Sequence, residues 1–274
     1  MNECINEVFL LNGIVTKSDR FDDQQINKGI SFYEVIRVMQ SRYLFFEDHT
    51  GRLKNSIELY GIKYKLNIKD ITDYLLKYLM KISLKEGNIK VVLSFSDISD
   101  IHPHVFVYQI KHYYPTTDEY NNGVSLLLAN AERSNPNAKI INLSIKKIAS
   151  EKLSETKYFE TLLVNSNNKI TEGSRSNVFF IVTDTVFTAP DNEVLCGVTR
   201  KHLLEICREK NIPVTFDTVS VACLPDFDAC FITGTSIKIL PLKEIDNIRY
   251  NVQNKLMREL MHYFDLRVKN YLQD

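Results

Sequence analysis

The sequence predicts a mixed α/β protein of two domains. Three observations carry that expectation. Strand-like and helix-like runs are interspersed along the whole chain. The length, 274 residues with 44% apolar side chains, exceeds the commonest single-domain size and supplies a sizeable core. One polar, turn-rich stretch, KHYYPTTDEYNNG at 111–123, interrupts the pattern. The expected domains are residues 1–112 and 123–274, joined by a linker at about 113–122.

In chain order, Asn12-Gly13 lies between apolar runs from Val8 to Val15 and reads as a hairpin, because both residues tolerate the positive φ of a tight turn. Phe32 to Val38 and Tyr43 to Phe46 read as strands separated by a turn at Gln40-Ser41. Asp48 is placed to cap a helix from about His49 to Tyr60. A second helix begins near Ile68, where Ile71, Leu75, Tyr78 and Leu79 recur at helical spacing, and Gly87 suits its stop. Ile89 to Phe95 and Val105 to Ile110 read as paired strands. Beyond the linker, Val124 to Ala129 is a strand. The loop ERSNPNAKIIN then leads into a helix with Ile145, Ile148, Ala149 and Leu153 on one face. Strands follow at Phe159 to Val164, Asn177 to Val182 and Thr185 to Thr188. Next come a helix at Thr199 to Lys210, strands at Val214 to Phe216, Ala229 to Ile232 and Ile237 to Leu242, and a terminal amphipathic helix.

Lysine plus arginine and aspartate plus glutamate each number 34, so the net charge is zero and the basic excess of a nucleic-acid partner is missing. Five cysteines without a C-x-x-C pair read as reduced thiols of a cytoplasmic protein. His102 and His104 lack the neighbours of a metal site, so no metal is expected. No apolar run approaches the length of a membrane span, and the acidic first residues do not read as a signal peptide.

Four separated segments carry chemistry. In the first, GISFYEVIRV at 29–38 precedes FEDHTGRLKNS at 46–56, and Arg52 offers a planar fork of donors that suits a phosphate at a helix start. Taken alone, Arg52 reads as a surface charge. In the second, NAKIIN, Lys139 sits among small and apolar neighbours, where desolvation frees an amine as a nucleophile; the bland alternative is a surface lysine. Lys146, Lys147 and Lys152 are read as solvent-facing. In the third, ITEGSRSNVFF at 170–180, Glu172 stands between the strand residues Ile170-Thr171 and a glycine, suited to a protonated ring nitrogen or to a plain turn. The fourth comprises CGVTR at 196–200 and ITGTSIKI at 232–239. There Gly, Thr and Ser at strand and helix ends can cradle an anion or simply make turns.

The order of these segments resembles the class IV aminotransferases, the fold-type IV pyridoxal-phosphate enzymes, from about Gly29 to Leu242. That family includes branched-chain and D-amino-acid aminotransferases and aminodeoxychorismate lyases. The resemblance implies a two-domain fold with pyridoxal 5'-phosphate in the interdomain cleft, a homodimer, and an amino acid and a 2-oxo acid as substrates. It implies that Lys139 holds the cofactor and shuttles the proton, and that Glu172 pairs with the pyridine nitrogen. Arg52 would bind the phosphate with Val198, Thr199, Thr235 and Ser236. Leu195 would pack on the ring, and Tyr33 would lie near the phenolic oxygen. Asn142 completes a K-x-x-N of the D-amino-acid branch. The sequence departs from the family at Ser96-Asp97, where that branch carries an arginine for the substrate carboxylate, and at Ile237-Lys238. Arg37, Lys238 and His104 are the candidate replacements, Arg37 first. The favoured expectation is an aminotransferase. An aminodeoxychorismate lyase and a non-catalytic protein of the same fold are the alternatives.

Overall fold

The computed structural model describes residues 3–154 and 156–273. The chain divides into two compact units. The first comprises residues up to Tyr113, the short segment Ala138–Ile141 and the chain from Asn270 onward; the second comprises Tyr114–Asn137 and Asn142–Lys269. The polar stretch between 113 and 123 holds a short helix, Thr117–Asn122, started by a capping box in which Thr116 and Glu119 satisfy each other's backbone N–H groups.

The first unit is built on a six-stranded antiparallel sheet. Its strands are β1 (Val8–Leu11), β2 (Ile14–Lys17), β3 (Ile30–Met39), β4 (Arg42–Tyr43), β5 (Gly87–Phe95) and β6 (His104–Ile110), in the order β2-β1-β6-β5-β3-β4. The expected hairpin at Asn12-Gly13 forms, with both residues at positive φ. Two helices, α1 (Phe46–Tyr60) and α2 (Ile68–Ile82), contribute Leu53, Ile57, Ile71 and Leu75 to a core shared with Phe32, Ile36 and Val38 of β3. The opposite face of the sheet carries a second cluster of Phe9, Phe21, Ile26, Phe106 and Tyr108.

Three expectations are corrected here. Tyr43 to Phe46 is not a strand: pairing stops at Tyr43, and α1 starts at Phe46. Asp48 does not cap that helix. Phe45 occupies the cap position in a left-handed conformation, and the Phe46 N–H donates to the hydroxyl of Tyr271, 225 residues away, at 2.9 Å. A cap supplied from so far along the chain leaves no local signature, and Asp48 instead joins Glu47 in the first turn, where carboxylates suit the helix dipole. Gly87 does not end α2. Ser83 does, at φ 49°, and Gly87 opens β5.

The second unit holds a ten-stranded mixed sheet. Its strands are β7 (Val124–Asn130), β8 (Glu160–Val164), β9 (Lys169–Gly173), β10 (Asn177–Val182), β11 (Thr185–Thr188), β12 (Val214–Phe216), β13 (Val219–Ser220), β14 (Ala229–Gly234), β15 (Lys238–Ile245) and β16 (Ile248–Arg249). The path is β12-β11-β10-β14-β15-β7-β8-β9-β13, with β16 beside β15. Leu126, Leu162, Val178, Ile232 and Leu240 form its core. Helices at Leu143–Leu153 and Val198–Glu209 follow the expected positions to within one or two residues, and the terminal helix spans Lys255–Gln273. No helix among the described residues is long and apolar enough to cross a membrane.

Candidate active site

The lysine segment is positioned by an open sheet edge. β4 pairs only with Val38 and Met39, which leaves the first half of β3 without a strand on that side. Ala138–Ile141 fills the gap. The Tyr33 N–H donates to the Lys139 carbonyl at 3.1 Å, and the Ile141 N–H donates to the Ser31 carbonyl at 2.9 Å, with Phe32 opposite Ile140. Alternation along this added strand sends Ala138 and Ile140 into the helix-side core and puts Lys139 on the Tyr33 face. The Lys139 ammonium lies 4.6 Å from the Tyr33 ring centroid, and the Lys139 N–H donates to the buried Ser56 hydroxyl of α1 at 3.1 Å. Lys146, Lys147 and Lys152 are exposed.

Arg52 has a different environment from the one expected. It sits in the second turn of α1 rather than at its start, so no helix-terminal N–H group accompanies it. Its Nε and Nη2 donate to the two carboxylate oxygens of Glu34 at 2.7 and 2.6 Å. His49 Nδ1 lies 2.8 Å from Glu34 Oε2. Glu34 and His49 are buried. Burial alone would raise the Glu34 carboxyl, but the Arg52 charge and the bonds from Arg52 and His49 outweigh it and bring the pKa down to about 2. Burial lowers the His49 pKa against the pull of Glu34, with Arg52 and Lys139 adding to the depression. The imidazole is therefore neutral, and its Nδ1–H donates to Glu34.

In the second unit, Glu172 lies at the end of β9, before the tight turn in which the Gly173 N–H donates to the Ser176 carbonyl at 2.7 Å. One carboxylate oxygen accepts from Arg133 Nε at 2.8 Å, and the other accepts from the Leu195 N–H at 3.2 Å. Arg133 Nη2 also donates to the Ser174 carbonyl at 2.7 Å. Asn177 connects this turn to two further loops. Its side-chain amide donates to the Leu195 carbonyl at 2.8 Å, and its backbone pairs with Thr233, two residues before Thr235. Gly197 follows at the cap of the Val198–Glu209 helix, where no side chain caps the helix. A Cβ at Gly197 would lie 2.2 Å from Asn177 Oδ1, so any larger residue there would push the Asn177 amide out of place. Leu195 is thus tied to the Glu172 turn from both sides, and Val198 and Thr199 follow it in the chain.

Among the substrate candidates, Arg37 is buried on the Tyr33 face of β3, and His104 stands exposed at the start of β6 on that same face. Lys238 donates to Asp265 at 2.6 Å. Arg133 was missed by sequence reasoning, and Asn177, within the segment ITEGSRSNVFF, was given no role there. Arg133 stood in the recognised loop ERSNPNAKIIN but contacts a residue 39 positions on.

Residues 31–245 match the model of the family described as Amino-transferase class IV. The chain belongs to the class IV aminotransferase family. It is 24% identical to the D-alanine aminotransferase of Bacillus licheniformis over 261 residues, 87% of this chain and 92% of the relative. Among solved structures, the branched-chain amino acid aminotransferase of Escherichia coli superposes with a TM-score of 0.82 at 19% identity, covering 95% of this chain and 94% of that one. The 4-amino-4-deoxychorismate lyase of Pseudomonas aeruginosa superposes with a TM-score of 0.80 at 18% identity, covering 93% and 97%. The expected fold type is therefore the observed one, shared with neighbours described as an aminotransferase and as a lyase.

Proposed function

We propose that this chain is a pyridoxal-phosphate-dependent aminotransferase that moves an amino group between an amino acid and a 2-oxo acid, with Lys139 as the cofactor lysine. The observation that carries this reading is the placement of Lys139 on the edge of β3, its ammonium against the Tyr33 ring and its backbone fixed at three points. The residues present fit the cofactor. The Gly197 cradle brings backbone N–H groups to the head of a twelve-residue helix, suited to a phosphate. Glu172, buried and backed by Arg133, suits a protonated ring nitrogen.

When bound, pyridoxal phosphate supplies an electron sink for charge developing at the substrate α-carbon. In this reading Lys139 would hold the cofactor, and its amine would carry the substrate α-proton. Glu172 would face the ring nitrogen, with Arg133 and the Leu195 N–H fixing the plane of its carboxylate. Leu195 would lie against the ring. Arg52, held in plane by Glu34, and separately Val198, Thr199, Thr235 and Ser236, would be the phosphate-binding residues. Tyr33 lies beside the lysine. The homodimer is part of the proposal, and a native mass measures it.

Transfer is favoured over lyase chemistry by the face of β3. Glu34 turns to α1, so Tyr33 and Val35 share the opposite face, and valine can relay no proton. Ser31, on that same face, is buried with its hydroxyl on Ser94 at 3.0 Å. The test is a panel of amino donors with 2-oxoglutarate and pyruvate, run beside aminodeoxychorismate. Amino transfer without 4-aminobenzoate is expected; rapid 4-aminobenzoate with no transfer overturns the choice. Lys139→Ala should abolish transfer and the lysine-linked absorbance while Lys146→Ala and Lys147→Ala keep both. A borohydride label mapped to Lys146 or Lys147 would contradict the assignment.

A further inference from the structure

We propose that Lys90, with the hydroxyl of Tyr108, is the group that receives a substrate carboxylate, a role left open by Ser96-Asp97. The proposal rests on the aminotransferase reading above and deepens it. The register of β3, β5 and β6 maps the sheet face that carries Tyr33. Tyr33, Val92 and Phe106 form one row across it, Val35, Lys90 and Tyr108 the next, and Arg37, Asn88 and Ile110 the third. Lys90 is thus central on this face, one row from Tyr33. It is 3% exposed in a strand that is buried throughout. Lysine is almost never so buried without an anion, because a desolvated ammonium is costly.

The ammonium of Lys90 lies 5.0 Å from the Tyr33 ring centroid, and that of Lys139 lies 4.6 Å from the same centroid. The two nitrogens are therefore less than about 10 Å apart, a gap that an amino acid or 2-oxo acid can bridge. The chain itself demonstrates what the Lys90 position binds. Oε2 of Glu3 accepts from Lys90 Nζ at 2.5 Å and from the Tyr108 hydroxyl at 2.8 Å. Two buried donors therefore converge on one carboxylate oxygen. The Glu3 side chain is 35% exposed, whereas Lys90 is 4% exposed at its side chain. The carboxylate is the replaceable partner and the donors are the fixed ones. Asp23 holds the Glu3 N–H at 3.1 Å and adds negative charge near Tyr108, so an incoming carboxylate is bound by taking the place of Glu3, not by joining it. The shared chemistry is a carboxylate, and its source is either the α-carboxylate of every substrate or the second carboxylate of a dicarboxylic one.

The experiment measures KM for pyruvate and for 2-oxoglutarate in the holoenzyme and in Lys90→Met, Lys90→Arg and Glu3→Gln. It also measures the thermal stabilisation given by glutarate and by propionate, which do not react. Lys90→Met should raise KM about tenfold or more, the worth of one charge-assisted hydrogen bond. Lys90→Arg should recover part of the loss, and Glu3→Gln should lower KM by removing the competing carboxylate. A rise for both keto acids assigns the α-carboxylate; a rise for 2-oxoglutarate alone assigns the distal one. Either outcome upholds the proposal. If Lys90→Met and Glu3→Gln change only the melting temperature, leaving KM and stabilisation by both acids as in the parent, Lys90 is a structural clamp and the proposal fails. Should Lys90→Met not fold, Glu3→Gln and Lys90→Arg decide by the same readouts. If the parent transfers no amino group yet is stabilised by an acid through Lys90, the carboxylate site stands and the aminotransferase reading falls.

Discussion

Glu34 in the first unit and Glu160 in the second are both fully buried strand carboxylates, yet their surroundings differ in kind. Glu34 meets charge: a bidentate guanidinium and a neutral imidazole that donates to it. Glu160 meets mostly dipoles. Its Oε1 accepts from the Arg175 N–H at 2.5 Å, the Ser176 hydroxyl at 3.1 Å and the Ser174 hydroxyl at 3.3 Å. The consequences are opposite. Arg52 drags the Glu34 pKa down despite burial, whereas burial raises that of Glu160 because the Arg175 charge and the local donors only partly offset it. The lesson is that burial sets the cost of ionising a carboxylate, and a full counter-charge within hydrogen-bonding distance decides whether that cost is met. Glu34 locks Arg52 in place, and Glu160 holds the turn that follows Glu172.

The largest break in this comparison comes from removing the counter-charge. Arg52→Ala leaves Glu34 buried beside a neutral imidazole, and stability should fall by about 3–5 kcal/mol, the usual cost of an orphaned buried charge. Denaturant unfolding measures it, and a loss below about 1 kcal/mol would show that Glu34 simply protonates or finds water. Arg52→Ala combined with Glu34→Gln should recover much of the stability but not the affinity for pyridoxal phosphate, which separates the structural from the binding contribution.

The second effect is the pH dependence, where the two glutamates have opposite signs. The depressed Glu34 pKa contributes stability that is present above its ordinary value of 4.5 and is lost as pH falls through about 2. His49 acts in the same direction from a higher pH. Its pKa lies below the ordinary 6.5, so the unfolded chain takes up a proton first and stability starts to fall as pH drops below 6.5. Glu160, with its raised pKa, contributes stability below 4.5 that is lost as pH rises through its folded value. In Glu34→Gln/His49→Gln the acid-side decline should flatten, as followed by urea midpoints from pH 3 to 8. An unchanged acid limb would refute the assignment.

Sequence reasoning reached the elements and residues whose signals are local. The Asn12-Gly13 turn and the helix start at Ile68 lie in short motifs, whereas Lys139 stood in a segment read as a loop, and no local pattern announced its place on the edge of β3. What stayed hidden were partners brought from far along the chain. Tyr271 caps Phe46 across 225 residues, Lys90 meets Glu3 across 87 and Arg133 meets Glu172 across 39. Arg52 was recognised, but a guanidinium near a helix start reads the same whether it faces an anion or a buried glutamate 18 residues upstream. Lys90 was hidden by its strand: a lysine between Ile89 and Val91 looks like a solvent-facing position of an edge strand, and only the six-stranded order makes β5 interior.

The smallest effect sharpens the comparison most. Glu160→Gln keeps an oxygen acceptor for the Arg175 N–H and for the two serine hydroxyls, and it removes an ionisation that the site penalises. Because the native environment already favours the uncharged form, the substitution should alter neutral-pH stability by no more than about 1 kcal/mol, the worth of one imperfect hydrogen bond. It should also remove the decline in stability that Glu160 contributes above pH 4.5. The same change at Glu34 replaces a charge that Arg52 requires, and it should cost several times more. Glu160→Ala distinguishes the acceptor from the charge. Losing the oxygen leaves the Arg175 N–H and two buried hydroxyls without it, so the 173–176 turn should loosen and pyridoxal phosphate should bind more weakly through Glu172. Hydrogen exchange at Gly173 and Arg175 reads the turn directly. If Glu160→Gln loosened it as much as Glu160→Ala, the carboxylate charge, not its oxygen, would be what holds the turn, and the contrast with Glu34 would collapse.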